Sequence, residues 1–225
     1  MAGKPGFRVV EGWKRVDEEM LKAFDGASSA QIADSMARLG AMDGGIRQVW
    51  ASPRVIGTAL TVWCHSADNL MLHKGISLAQ AGDVLVVNTQ GNRQNSPFGE
   101  LLAISAVRKG VKAVIVDGTV RDADGLEALG LPVYSRGLSP SGCNKDGGGE
   151  VGTAIACGGV AVRSGDIVIA DIDGVTVVPA ADAAAVIQLA AAQVRREQDR
   201  KHEIDKGVLT RPEIDESLRR LKVID

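Results

Sequence analysis

Two apolar, β-branched runs, DVLVVNT (83–89) and KAVIVDG (112–118), lie on either side of the helix-patterned segment ELLAISAVRKG (100–110). Runs this short and apolar suit buried strands, and a helix between them is the usual crossover of a parallel pair. RVIGTALTVWC (54–64) reads as a further strand, with SADNLMLHKGISLAQAG (66–82) as a loop entering a helix. DADGLEALG (122–130) and PVYSRG (132–137) continue the alternation as helix and strand. IACGGVAVRSGDIVIADIDGVTVVP (155–179) then reads as strands joined by turns at Gly158–Gly159, Ser164–Gly165 and Asp173–Gly174. The class is therefore α/β, with a mixed sheet rather than a purely parallel one.

The ends read differently. Residues 1–16 form an arm with few periodic apolar positions, followed by helices over 16–26 and 28–40. The second of these starts at a Ser cap, places Ile32, Met36 and Leu39 on one face and stops at Gly40. In the 100–110 helix, Leu101, Ile104, Ser105 and Val107 surround the expected inner face. The segment 138–152 is the most glycine-rich loop. From Ala180 to about Lys206 runs one long Ala-rich helix, and RPEIDESLRRLKVI makes a last amphipathic one. A length of 225 residues suits one domain over 1–225. Its C-terminal helices, about 180–225, are expected to pack on a neighbouring subunit.

Aromatic residues are only 3%, so the core must be aliphatic. Twenty-six Lys and Arg against 28 Asp and Glu leave a net charge of −2, which gives no electrostatic reason to expect nucleic acid or an anionic membrane as partner. No apolar run approaches the roughly 20 residues of a membrane span, and MAGKPGFRVVEGWKRVDEEM lacks an apolar signal core. Cys64, Cys143 and Cys157 match neither a disulfide framework nor a zinc pattern. A cytoplasmic location is the expectation.

The sharpest local feature is AVIVDGTVRDADGL (113–126). An apolar strand ends in Asp117-Gly118, and Arg121-Asp122 follow within one turn. At the carboxyl end of a buried strand, an Asp can hold a hard cation and an Arg can grip a carboxylate with two hydrogen bonds. The alternative is that Asp122 caps the helix it begins and Arg121 makes a surface ion pair. In GNRQNSPFGELL (91–102), Gly99 and Glu100 sit where loop becomes helix. The free N–H groups of Leu101 and Leu102 could bind an anion whose other end rests on Arg121. On pattern alone, Glu100 is better explained as favourable first-turn charge. Asp68-Asn69 reads as turn chemistry, and Lys145 as a lone cation in a glycine-lined loop.

Other matches fail. Gly147, Gly149 and Gly152 satisfy GxGxxG, but strand rather than helix follows. No phosphate-binding GxxxxGK[ST] exists, and GLSPSG (137–142) misses a nucleophile elbow by one residue. His65, His73 and His202 show no metal-ligand spacing. Asp166, Asp171 and Asp173 fit turns. A Schiff-base lysine at Lys145 or Lys112 stays conceivable, although neither stands in an evidently desolvated setting of the kind that lowers a Lys pKa.

Taken together, DNL (68–70), GELL (99–102), VDGTVRD (116–122), the Lys145 loop and GDIVIADIDGVTVVP (165–179) resemble the RraA-like superfamily, on its 4-hydroxy-4-methyl-2-oxoglutarate aldolase branch. The hallmark is an acid, twenty residues, then Arg-Asp; here Glu100 precedes Arg121-Asp122, whereas the family's aldolases carry Asp first. The resemblance implies a single-domain β/β/α (α-β-β-α) sandwich assembled as a homotrimer or homohexamer. It implies cleavage of 4-hydroxy-4-methyl-2-oxoglutarate or 4-carboxy-4-hydroxy-2-oxoadipate to pyruvate plus a 2-oxo acid, with oxaloacetate decarboxylation alongside. Mg²⁺ or Mn²⁺ would sit directly on Asp122. Glu100, and Glu197 from a neighbouring subunit, would reach the metal through water. Arg121 would bind the pyruvyl carboxylate with Gly99, Leu101 and Leu102, and Asn69 and Lys145 the distal part of the substrate. The superfamily also holds non-enzymatic regulators of ribonuclease E, which lack the Asp of the Arg-Asp pair. The competing expectations are such a regulator, or a lyase for a different 2-oxo acid on the same scaffold.

Overall fold

A computed structural model describes residues 2–225. In chain order the elements are β1 (Ala2–Lys4), β2 (Phe7–Val9), α1 (Glu18–Lys22), α2 (Ser29–Ser35), β3 (Arg47–Gln48), β4 (Val55–Cys64), α3 (Leu70–Leu78) and β5 (Asp83–Asn88). There follow α4 (Glu100–Arg108), β6 (Ala113–Asp117), α5 (Ala123–Ala128), β7 (Val133–Ser135), β8 (Gly149–Val151), β9 (Ile155–Cys157) and β10 (Val160–Val162). β11 (Ile167–Asp171), β12 (Gly174–Val178), a 3-10 turn (Ala180–Asp182), α6 (Ala183–Asp205) and α7 (Pro212–Arg220) complete the chain.

The mixed sheet runs β1-β2-β8-β4-β5-β6-β7-β3, with β11 also on β4 and β12 on β11. Its centre is the parallel set β4-β5-β6-β7, in register through Ala59↔Val84, Leu85↔Val114 and Ile115↔Tyr134. The ten-residue β4 serves three neighbours. Thr58–Trp63 pair with β5 on one edge, while the other edge is divided between β11 at Val55–Thr58 and β8 at Val62–Cys64.

Alternation along these strands sorts the core into two faces. Leu60, Val62, Leu85, Val87, Val114, Val116 and Val133 pack under α3, α4 and α5. On the same face, Ile56, Ile167 and Ile169 meet Leu21, Ile32 and Val186 from α1, α2 and α6, and Phe24 from the turn after α1. The opposite residues, Val55, Ala59, Val84, Val86, Ile115 and Tyr134, are covered by the β9-β10 hairpin and by Met42 and Ile46. Layers of helix, sheet and ribbon are thus in place, with the C-terminal helices following the last strand.

Several local expectations need correction. The 28–40 helix ends at Ser35, because Ala37 (φ 53°) and Arg38 (φ 70°) turn left-handed. Ile32 stays buried, but Leu39 is 84% exposed. α4 buries Ala103 and Ala106 instead of the larger apolar residues, and Leu101 is 77% exposed. Small residues let the helix approach the sheet closely and leave the bulky ones outside. The N-terminal arm contains a hairpin, β1-β2, docked parallel on β8 in the glycine-rich loop, with Phe7↔Gly149 and Val9↔Val151.

The arm is also held by charge. Asp83, fully buried at the start of β5, accepts Arg15 Nε at 2.8 Å and Nη2 at 2.9 Å, together with the Gln80 N–H at 2.9 Å. Arg15 in turn stacks 5.0 Å from the Trp13 ring centroid. Removing one partner of a buried pair strands the other charge. Arg15→Ala should therefore cost about 3 kcal/mol of unfolding free energy in urea titration, the low end of that class because Arg15 keeps some contact with water.

Candidate active site

Each loop leaving a carboxyl end of the four parallel strands contributes to one cleft of about 320 Å³. After β4 come Asn69 and His73; after β5, Ser96, Pro97, Gly99, Leu101 and Leu102; after β6, Arg121; after β7, Gly142, Cys143 and Lys145. Parallel strands with helical crossovers bring such loops to the same edge, where α/β proteins bind ligands.

The centre is Arg121-Asp122. Asp122 occupies the N-cap position of α5 in a left-handed conformation (φ 60°, ψ 44°), yet its side chain makes no capping hydrogen bond to α5. Its Oδ2 instead accepts the Glu100 N–H at 3.1 Å, at the start of α4. The explanation of this residue as the side-chain cap of α5 is thereby excluded. The Arg121 backbone N–H donates to Phe98 O at 3.1 Å. Its Nε lies 3.5 Å from Asp122 Oδ2, and its guanidinium makes no hydrogen bond among the described residues. Two glycines make room for it: a Cβ on Gly99 would lie 2.5 Å from Asp122 Oδ2 and 2.8 Å from Arg121 Cγ, and one on Gly142 3.1 Å from Arg121 Nη1.

At the start of α4, Gly99 O accepts the Ala103 N–H and Asp122 takes that of Glu100. The amides of Leu101 and Leu102 have no acceptor among the described residues, and they lie beside the Arg121 guanidinium. Donors at a helix start and a neighbouring Arg are the groups that a carboxylate ligand needs.

Glu100 itself does not line the cleft. Its Cδ lies where a Cβ on Gly125 would come within 2.7 Å, so the side chain rests along α5. Glu197 is elsewhere in the chain: its Oε2 accepts from Gln31 at 2.6 Å and its Oε1 from Gln193 at 2.8 Å, between α2 and α6. Those bonds, Gln31 first, hold its carboxyl below the ordinary range. Asp117 is structural, its carboxylate accepting the Gly158 N–H at 2.8 Å and pairing with Arg136.

Among the described residues no three His, Cys, Asp or Glu side chains converge as a metal cage. Asp122 nevertheless fits a hard cation. It is half exposed, its Oδ1 accepts no hydrogen bond among the described residues, and its donors are carboxylate oxygens, which suit Mg²⁺ or Mn²⁺ keeping several waters.

Among the cleft residues that the sequence reading did not assign to the site are His73 and Cys143. His73 follows Asn69 by one helical turn, a spacing visible in the sequence but meaningless until Asn69 itself is placed. Partial desolvation, then the Lys145 ammonium, lower its pKa, against an opposing pull from Asp68. Cys143 is half-buried beside Lys145, and burial pushes its thiol up to about 11.

The family model described as RraA-like, Aldolase/RraA, matches residues 29–177. A Halalkalibacterium halodurans protein named "Putative 4-hydroxy-4-methyl-2-oxoglutarate aldolase" is 32% identical over 178 residues, covering 79% of this chain and 85% of its own. Streptomyces coelicolor RraAS2, described as an unusual member of the RNase ES inhibitor RraA protein family, superposes with a TM-score of 0.76 at 28% identity over 84% of this chain and 99% of its own. A Pseudomonas syringae structure at 23% identity (TM-score 0.74, 87% and 96% covered) shares the fold.

The thiol environment makes a prediction. Only the thiolate is nucleophilic, so below a pKa of about 11 the alkylation rate of Cys143 should climb about tenfold per pH unit. Iodoacetamide labelling of the folded protein should be slow at pH 8, still rising at pH 10, and confined to Cys143, since Cys64 and Cys157 are buried. A rate that levels off near pH 9 would contradict this environment.

Proposed function

Since the chain belongs to the RraA-like family, we propose that it is a divalent-metal-dependent pyruvate aldolase acting on 4-hydroxy-4-methyl-2-oxoglutarate or 4-carboxy-4-hydroxy-2-oxoadipate, with oxaloacetate decarboxylation as a side reaction. The observation that carries this reading is Asp122, whose side chain does not cap α5, beside an Arg121 guanidinium whose one partner among the described residues is that carboxylate, and the open amides of Leu101 and Leu102. Among the described residues no helix is long and apolar enough to cross a membrane. We read the whole chain as one unit working in a homotrimer or homohexamer in the cytoplasm.

In this reading the pyruvyl carboxylate docks on Arg121 and the Leu101 and Leu102 amides, a bidentate and oriented grip. Asp122 would hold Mg²⁺ or Mn²⁺, which would supply Lewis-acid polarisation of the ketone oxygen. Arg121 stabilises the negative charge that grows on that oxygen as the C3–C4 bond breaks. The C4 hydroxyl gives up its proton, C4 becomes a carbonyl, and the bond's electron pair passes into the pyruvate enolate. Glu100, acting through water, is the group we assign to accept that proton and return one to C3. To do so its side chain must swing off Gly125, and its extra methylene relative to Asp supplies the reach. Asn69 and Lys145 take the distal end of the substrate, and Glu197 could contribute only from a neighbouring copy. Loss of CO₂ from oxaloacetate generates the same enolate.

The test is pyruvate release from both substrates with Mg²⁺ or Mn²⁺, with EDTA, and in two variants. Asp122→Ala should lower turnover by about 10²–10³-fold or more, as loss of a principal electrostatic group does, while remaining folded. Gly99→Ala should fall comparably, because its Cβ displaces Arg121 and Asp122 together. Wild-type protein that releases no pyruvate with either metal would overturn the aldolase reading and favour binding of a ribonuclease, the role stated for the Streptomyces relative's family.

A further inference from the structure

Asp68 lies outside the cleft lining, and its carboxylate is almost fully buried, 4% of the residue being exposed. Three backbone donors converge on it. Oδ1 accepts the Leu70 N–H at 2.8 Å, at the start of α3, while Oδ2 accepts those of Asp146 at 2.9 Å and Gly147 at 2.8 Å. Around it, Asn69 N–H donates to Asn144 O at 3.0 Å and Asn144 N–H to Ala67 O at 2.9 Å. Gly147 is pressed so close that a Cβ there would sit 2.7 Å from Asp68 Cγ. The staple thus joins the helix bearing Asn69 and His73 to the loop bearing Lys145, two walls of the cleft that are 76 residues apart between Asn69 and Lys145 (145 − 69).

We propose that Asp68 is a positioning residue for substrate recognition: its carboxylate fixes the 143–147 loop so that Lys145 faces the distal group of the 2-oxo diacid. The inference rests on the aldolase reading of the cleft. A carboxylate is needed because all three partners are N–H donors. An amide has one acceptor oxygen, and its NH₂ would oppose whichever donors it turned toward. Lys145 makes no hydrogen bond among the described residues, so its placement comes from its backbone, and Asp68 fixes the two residues that follow it.

Steady-state kinetics on the full-length enzyme test this. Asp68→Asn should raise the KM for 4-hydroxy-4-methyl-2-oxoglutarate about tenfold, the worth of one lost charge-assisted contact. It should leave kcat and the inhibition constant of pyruvate, which lacks a distal group, within about twofold of wild type. Lys145→Ala should raise KM similarly, and the double variant no further, because Asp68 acts through Lys145. Amide hydrogen exchange at Asp146 and Gly147 should quicken in Asp68→Asn. If that variant does not fold, Gly147→Ala, which crowds the same carboxylate, should reproduce the KM effect. A KM rise of equal size in the Lys145→Ala background, or a rise in the pyruvate constant, would overturn the positioning role while leaving the aldolase reading intact. An unchanged KM in Lys145→Ala would overturn both the positioning role and the distal assignment of Lys145, whereas failure of pyruvate release altogether would mark the aldolase reading itself as wrong.

Discussion

The parallel pairing of β4, β5, β6 and β7 is the constraint on which the rest depends. Parallel neighbours cannot be joined by a tight turn, so each step needs a crossover, and α3, α4 and α5 all pack on one face. The carboxyl ends of the four strands then emerge together. Asn69, Gly99, Arg121 and Lys145 each follow a different strand, yet they share one cleft. The opposite face is closed by the β9-β10 hairpin, which leaves the strand ends as the open edge of the sheet.

Within the cleft, close packing does the selecting. Arg121 and Asp122 run past Gly99 at a separation no side chain at that position could tolerate. That contact couples the loop after β6 to the first turn of α4, and it turns Asp122 from a helix cap into an open carboxylate. The same economy recurs on α4 itself. Alanines face the sheet, so Leu101 and Val107 remain outside and the helix start can approach Arg121.

Buried carboxylates tie segments that lie far apart in the chain. Asp83 holds the arm through Arg15, Asp117 holds the β9-β10 turn through Gly158, and Asp171 holds α2 through Ser29 N–H at 2.8 Å. Asp68 belongs to this set by its chemistry, but it alone among these four joins two walls of the cleft. Each accepts hydrogen bonds that satisfy buried donors, which is how a buried charge becomes tolerable.

The sequence by itself determined the class of fold and singled out the residues proposed to carry chemistry. β-branched runs, helix-ending glycines and the acid–Arg-Asp spacing are written in adjacent residues, and the strands over 54–64, 83–89 and 112–118 emerged close to where they were read. What faces what was not legible there. Leu39 and Leu101 satisfy a helical period and are nevertheless exposed, because a left-handed turn at Ala37-Arg38 and a close alanine contact decide those faces. The arm joins the sheet only because a strand more than 130 residues away supplies its partner. Asp122 could equally have capped its helix; the N–H of Glu100, 22 residues upstream, claims its carboxylate instead. Periodicity and capping are short-range preferences of about a kilocalorie. The aim of a side chain is settled by the neighbours that the whole fold brings within hydrogen-bonding distance.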